Sequence, residues 1–181
     1  INPIFNQDDE QLKISIKYNV EKGEKYKVNK ITISGNTRTR DKVIRREIKI
    51  KEQENYSGTK IKKSKSFINR RNYFEFVNIK EVPSKDKPNY LDLEVEVEEK
   101  PTGYFSIQGG YSSVEALLLG VQIQENNLFG YGKSLGASVT VGTVSQNFLI
   151  DYFDPYFLDT SYQFGLQLFK REYQYIDYDL S

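Results

Sequence analysis

The 181-residue chain contains no Cys, no His, no Met and no Trp. Without cysteine there is no disulfide framework and no thiol nucleophile, and without Cys and His there is no Cys/His zinc site. The missing histidine removes the usual general base near neutral pH, and with it Ser-His-Asp and Cys-His hydrolases. Carboxylate chemistry survives as a possibility, but no pair of acids is placed by the sequence in a shared apolar pocket, so we expect no enzyme and no cofactor. An excess of one charge is also lacking: 26 Lys+Arg face 25 Asp+Glu, a formal net charge of +1. No global field therefore selects nucleic acid, a membrane surface or an acidic substrate. No apolar run approaches the ~20 residues of a spanning helix, and nothing at the N-terminus reads as a signal peptide. Starting at Ile1 and stopping at Asp179-Leu180-Ser181, the chain is expected to be a piece of a longer protein.

The near-neutral total hides two different materials. Residues 1–100 carry 23 basic and 17 acidic side chains, and 101–181 carry 3 and 8. Nine of the 25 Phe+Tyr and three of the 12 Gly lie in the first 100 residues, so a boundary is expected near Pro101. Before it, Leu12 to Val20 alternates as a half-buried strand, and Tyr26 to Ser34 predicts a second, with Val28, Ile31 and Ile33 to bury, ended by Gly35-Asn36. Thr37 or Thr39 is a candidate N-cap for a helix carrying Val43, Ile44 and Ile48. Ser57 or Thr59 caps a second helix whose face runs Ile61, Ser64, Phe67 or Ile68, and Arg71. Phe76 to Val82 and Tyr90 to Glu98 then alternate as two further strands. The order β-α-α-β-β packs two helices on one face of a three-stranded sheet. Tyr26 to Phe74 holds 15 basic and 4 acidic residues; a solvated helical face is the plain reading, and a surface for headgroups or an acidic partner the functional one. Nucleic acid is disfavoured, because the aromatics here sit at core spacing rather than as stacking platforms.

From Gly103 onward the pattern changes to segments of about ten residues separated by short turns. Phe105, Ile107, Gly109 and Tyr111 face one way in the first, and Leu117, Leu119, Val121 and Ile123 in the second. The third presents Leu135, Ala137, Val139 and Val141, the fourth Phe148, Ile150 and Tyr152, and the fifth Tyr162, Phe164, Leu166 and Leu168. The opposite faces hold mainly Gly, Ser, Thr and Gln. A soluble sandwich would place Lys and Glu on its wet face; strands of ~9 to 11 residues with an uncharged apolar face and a small polar one match a transmembrane β-barrel. Five strands cannot close a bacterial barrel, so the all-β antiparallel part is expected to be incomplete.

Several motifs resemble a known family in their order and spacing. ITISGN at 31–36, RDKVIRREI at 40–48, INRRNYFEFV at 68–77 and LEVEVEEK at 93–100 are similar to an α+β POTRA module. TGYFSIQGGYSS at 102–113, NNLFGYGKSL at 126–135 and DYFDPYF at 151–157 resemble the first barrel strands of BamA-type outer-membrane assembly proteins. On this resemblance, 1–25 ends a preceding POTRA module and its linker, 26–100 is a POTRA module, and 101–181 holds the first five barrel strands.

The resemblance implies a protein that folds and inserts β-barrel proteins into the outer membrane of a Gram-negative bacterium, with its POTRA part in the periplasm. Outer-membrane lipids, nascent outer-membrane proteins and assembly-complex lipoproteins are the implied partners. The strand with Tyr104, Phe105, Ile107, Gly109, Gly110 and Tyr111 would be one side of a weak barrel seam, its mid-strand glycines lowering strand propensity. An easily opened edge can template an incoming strand by β-augmentation. The POTRA edge Phe76, Val77, Asn78, Ile79 and Lys80 offers the same main-chain chemistry. Leu135, Val139, Val141, Phe148, Ile150, Leu166 and Leu168 would face lipid, and Asp154, Pro155, Tyr156 and Phe157 would form a periplasmic turn with interfacial aromatics. Two-partner secretion and translocation-assembly transporters share this plan, and a soluble binding module is a third reading. Asp92, Glu94, Glu96 and Glu98 form a carboxylate row, but alternate residues on a strand lie nearly 7 Å apart, so a solvated face is expected rather than a metal site.

Overall fold

The computed structural model describes residues 2–8, 13–19, 24–114 and 116–174. Two strands, Asn2–Asp8 (β1) and Lys13–Asn19 (β2), form an antiparallel ribbon in which Asn2 faces Asn19 and Asp8 faces Lys13. β2 corresponds to the predicted strand at 12–20, whose end residues Leu12 and Val20 lie outside the described residues. Its partner β1 escapes a pattern reading, because NPIFNQD mixes a proline and two amides with few apolar residues.

An α+β layer pair follows. Lys27–Ser34 (β3), Asp41–Arg45 (α1), Gly58–Arg70 (α2), Phe74–Pro83 (β4) and Tyr90–Glu99 (β5) succeed one another in the expected order, and the sheet runs β3-β5-β4. β3 pairs parallel to β5 and β4 pairs antiparallel to it. The alternation of β5 puts Leu93, Val95 and Val97 into the core with Val28 and Ile31 of β3, Val43 and Ile44 of α1, and Ile61 and Ile68 of α2. Val28 and Ile31 are three apart yet both buried, and the β3 register shifts between them to permit it. Gly35, at φ +88°, ends β3; a Cβ there would lie 1.9 Å from the Val97 carbonyl oxygen, so glycine is required. On α2, Ile68 rather than Phe67 takes the fully buried position, and Phe67 is half-buried under Lys49 and Arg70.

Ser57 caps α2 by accepting from the Lys60 N–H, as expected. The expectation for α1 fails: Arg40 is its N-cap and makes no side-chain capping bond. The threonines are engaged elsewhere. Thr37 Oγ1 and the Arg38 N–H donate to Glu99 Oε2, and the Thr39 N–H donates to Glu99 Oε1. A carboxylate at the end of β5 thus holds the loop that leads into α1, without capping the helix itself.

Three residues after β5 the second unit begins. Gly103–Ser112 (β6), Ala116–Glu125 (β7), Ser134–Gly142 (β8), Ser145–Asp154 (β9) and Phe164–Tyr173 (β10) form one antiparallel meander in the order β10-β9-β8-β7-β6. β10 begins at Phe164, so Tyr162, expected inside the fifth strand, precedes it; its carbonyl accepts from the Phe157 N–H.

Candidate functional site

The registers join the five apolar strand faces into one surface. Phe105 is opposite Ile123, Ile107 opposite Val121, Val121 opposite Val139, Val139 opposite Phe148, and Ile150 opposite Leu168. Directly paired residues share a face, so the strip is continuous from β6 to β10, with Leu135, Val141 and Leu166 on it. Leu135, Val139, Phe148 and Leu166 are 40%, 39%, 40% and 48% exposed. No second layer covers them among the described residues, which removes the sandwich reading. The reverse face carries Ser106, Gln108, Gly120, Gln122, Gly136, Ser138 and Thr140, with Gln122 Nε2 donating to Tyr104 Oη.

β6 holds the six residues of the expected seam. Phe105, Ile107, Gly109 and Tyr111 lie on the apolar face and Tyr104 and Gly110 on the polar one, and β6 pairs with β7 while its other edge is unpaired among the described residues. β4 is likewise an edge, pairing with β5 alone. Val77 is buried and Ile79 packs against the core, while Phe76, Asn78 and Lys80 stand opposite Glu98, Glu96 and Glu94 on the outer face. Lys80 is ion-paired with Glu96, and Glu94, Glu96 and Glu98 are exposed, as a solvated row should be.

The contacts that seat the meander on the α+β unit were not legible beforehand. At the β7–β8 turn, buried Asn127 donates from Nδ2 to Thr39 Oγ1 at 2.8 Å and accepts the Gly132 N–H through Oδ1, while the Arg40 N–H donates to the Gly130 carbonyl. At the β9–β10 turn, the Tyr156 hydroxyl donates to Glu47 Oε1 at 3.2 Å and accepts from Arg71 Nη2 at 3.3 Å. Tyr156, expected among interfacial aromatics, therefore turns inward. Glu47 is 1% exposed and meets Arg71 at 2.6 Å, with Arg46 Nε at 3.9 Å. Burial, and then the charge of Arg71, push Arg46 below the ordinary guanidinium value, whereas Arg71 is raised because Glu47 outweighs its own burial. The sequence signal existed in part: Arg71 extends the apolar face of α2, where a solvated arginine does not belong.

Glu99 holds the loop that receives Asn127. Burial works to raise its pKa, but the bonds from Thr39, Arg38 and Thr37 together outweigh it and the net shift is downward. A depressed carboxylate contributes stability above its unfolded value of 4.5 and loses it as pH falls through the lower folded value. Acidification below pH 4.5 is expected to loosen the 37–40 loop progressively, and Glu99→Gln to flatten that acid limb when the loop's amide exchange is followed against pH. An unchanged acid limb in the variant would show that Glu99 is not the group titrating.

Comparison with known proteins matches residues 26–100 to the family described as "POTRA: Surface antigen variable number repeat" and residues 127–181 to the "Omp85 superfamily domain". The chain joins a POTRA module to an Omp85 domain. It is 30% identical over 154 residues to the outer membrane protein assembly factor BamA of Neisseria meningitidis serogroup B, covering 85% of this chain and 19% of that protein. It is 34% identical over 159 residues to BamA of Neorickettsia risticii, covering 88% and 21%. The chain thus spans about a fifth of the length of these relatives. The crystal structure of BamA from Haemophilus ducreyi lacking POTRA domains 1–3 superimposes with a TM-score of 0.84 at 27% identity, over 95% of this chain and 32% of that one. CdiB from Acinetobacter baumannii shares the fold, with a TM-score of 0.57 at 16% identity over 93% and 32%. In these terms the Glu47–Tyr156 and Thr39–Asn127 contacts hold the POTRA module against the β7–β8 and β9–β10 turns of the meander.

Proposed function

We propose that the chain is the barrel-proximal POTRA module and first barrel strands of an outer-membrane protein assembly factor, with the POTRA module in the periplasm. The carrying observation is the uncovered apolar face of β6–β10, which begins three residues after the POTRA strand β5. Such a face is stable against hydrocarbon and unstable against water. Leu135, Val139, Val141, Phe148, Ile150, Leu166 and Leu168 contact lipid, and Asp154 to Phe157 belong to a turn on the periplasmic side. β6 offers its free edge, weakened at Gly109-Gly110, to a strand of an incoming barrel protein, and β4 offers a second edge through Phe76 to Lys80. Neither step consumes a cofactor or a covalent intermediate. Nascent outer-membrane proteins are the substrates and assembly lipoproteins the accessory partners.

Depletion of the whole protein, combined with a photo-crosslinker replacing Ile107, tests this. Unfolded outer-membrane proteins should accumulate in the periplasm, and the probe should capture incoming barrel chains. Loss of a single secreted passenger, with bulk porins intact, would instead assign a dedicated transporter, the reading that the CdiB-like fold allows. Unchanged outer-membrane composition after depletion would reject assembly.

A further inference from the structure

A cavity of about 350 Å³ opens where α1 meets the two POTRA-facing turns, lined by Arg40, Lys42, Arg46, Lys133, Asp154 and Asp159 together with aromatic rings. Its position is set by the strand register. Asp154, the last residue of β9, lies opposite Phe164 and so belongs to the apolar side of the sheet, and Lys133 is ion-paired to it. The cavity is therefore the rim at which that side ends.

Its charges do not cancel. Asp154 is committed to Lys133, at 3.1 Å, and Asp159 to Lys42. Arg40 has no acidic partner among the described residues, and Arg46 shares the one carboxylate of Glu47 with Arg71, so the cations outnumber the anions. Arg40 lies 3.7 Å above the Tyr131 ring and Arg46 4.0 Å above the Tyr156 ring; stacking of this kind holds a guanidinium in place while leaving its in-plane N–H groups to find acceptors. Arg46 has not found them. Its Nε and Nη2 are buried without a hydrogen-bond partner; Glu47 beside it gives Oε1 to Arg71 and Tyr156, at 3.9 Å from Arg46 Nε, and its Oε2 is likewise buried without a partner. A buried guanidinium lacking acceptors is an uncommon and costly arrangement, and Gly132 at φ +69° keeps the room for it, since a Cβ there would lie 2.5 Å from Arg46 Nη2. Beside the cations, Leu158 sits at φ +51° in a backbone region disfavoured for a bulky residue and is 78% exposed. An exposed apolar side chain next to surplus guanidinium charge, on the rim of an apolar face, presents the two halves of an amphiphile's binding site.

We propose that this rim is an anionic phosphate site that takes the headgroup of a membrane phospholipid, with Arg40 and Arg46 on the phosphodiester and Leu158 against the acyl chains. The proposal rests on the membrane reading above. An acidic headgroup such as that of phosphatidylglycerol fits the surplus cations, whereas phosphatidylcholine carries its own cation and gains less.

The test uses the whole protein in nanodiscs of phosphatidylcholine doped with phosphatidylglycerol, with retained lipid counted by native mass spectrometry after release. Wild type should retain phosphatidylglycerol in preference to phosphatidylcholine. Arg40→Gln should lower that retention about fivefold, the contribution of one cation at a membrane surface, and Arg40→Lys should recover most of it. Arg40 is exposed, so the fold should persist, which heat-modifiable gel migration verifies for each variant. Excess inorganic phosphate should leave retention unchanged. If it displaces the lipid and binds equally well in lipid-free micelles, the ligand is soluble phosphate and the lipid assignment is overturned. Equal retention of both lipids by an incorporated wild type, or no effect of Arg40→Gln, overturns the site while leaving the membrane reading intact. A wild type that fails to enter nanodiscs overturns both, and is seen before any lipid is counted.

Discussion

Replacing Gly130 with alanine is expected to detach the β7–β8 turn from the POTRA module. Gly130 has φ +75°, and a Cβ built on it lies 2.0 Å from the Arg38 carbonyl oxygen and 3.4 Å from the Thr39 Cα. Both neighbours are backbone, so no side chain can rotate aside. The turn has to withdraw, and with it go the Arg40–Gly130 and Thr39–Asn127 hydrogen bonds. Two such bonds contribute about 1 kcal/mol each, more where a buried group is left unpaired, and the left-handed conformation adds about 1 kcal/mol against alanine. A loss of about 3 kcal/mol should speed exchange of the Arg40 and Gly132 amides roughly a hundredfold in the detergent-solubilised whole protein, with the Ile68 and Leu93 amides of the core unaffected. Protection at Arg40 within threefold of wild type would mean that the close approach is not holding the two units together.

The other large effect is expected at Glu47. Glu47→Gln keeps the shape but leaves Arg46 and Arg71 beside one another without a counterion in a buried site. Removing one member of a buried ion cluster costs about 3–5 kcal/mol, mostly through the charge left behind. Amides of α1 and of the 154–160 turn should therefore exchange at least a hundredfold faster. Replacing Glu47 and Arg71 together with leucine should be milder than the sum of the two single leucine changes, because both remove the same ion pair, while Arg46 still loses its carboxylate in the double variant. Strict additivity of the two would contradict a coupled cluster.

The strands were legible where their surroundings are uniform. Leu91, Leu93, Val95 and Val97 alternate because one face of β5 meets helices and the other water, and the apolar and polar faces of β6–β10 were readable for the same reason. What escaped depends on partners far along the chain. Thr39 looks like a helix cap until Glu99, sixty residues later, claims its N–H and Asn127 its hydroxyl. Tyr156 looks like a membrane-interface aromatic until Glu47 and Arg71 appear behind it. Nor could a pattern reveal that Phe129 and Leu158 both adopt positive φ, because no local rule places bulky residues there. The candidate edges β4 and β6 could be named from alternation and glycine content, whereas the seating of one unit on the other is a tertiary property.

That seating has a mechanical consequence. The connector Lys100-Pro101-Thr102 spans at most ~10 Å when stretched, and the Asn127 and Tyr156 contacts add two more fastenings on different turns. Each further fastening restricts motions that a single connector would allow. Tilting of the POTRA module must therefore either carry β6 along or first snap a polar latch. A torque applied to the POTRA module would be passed on to the meander until one of those latches gives way.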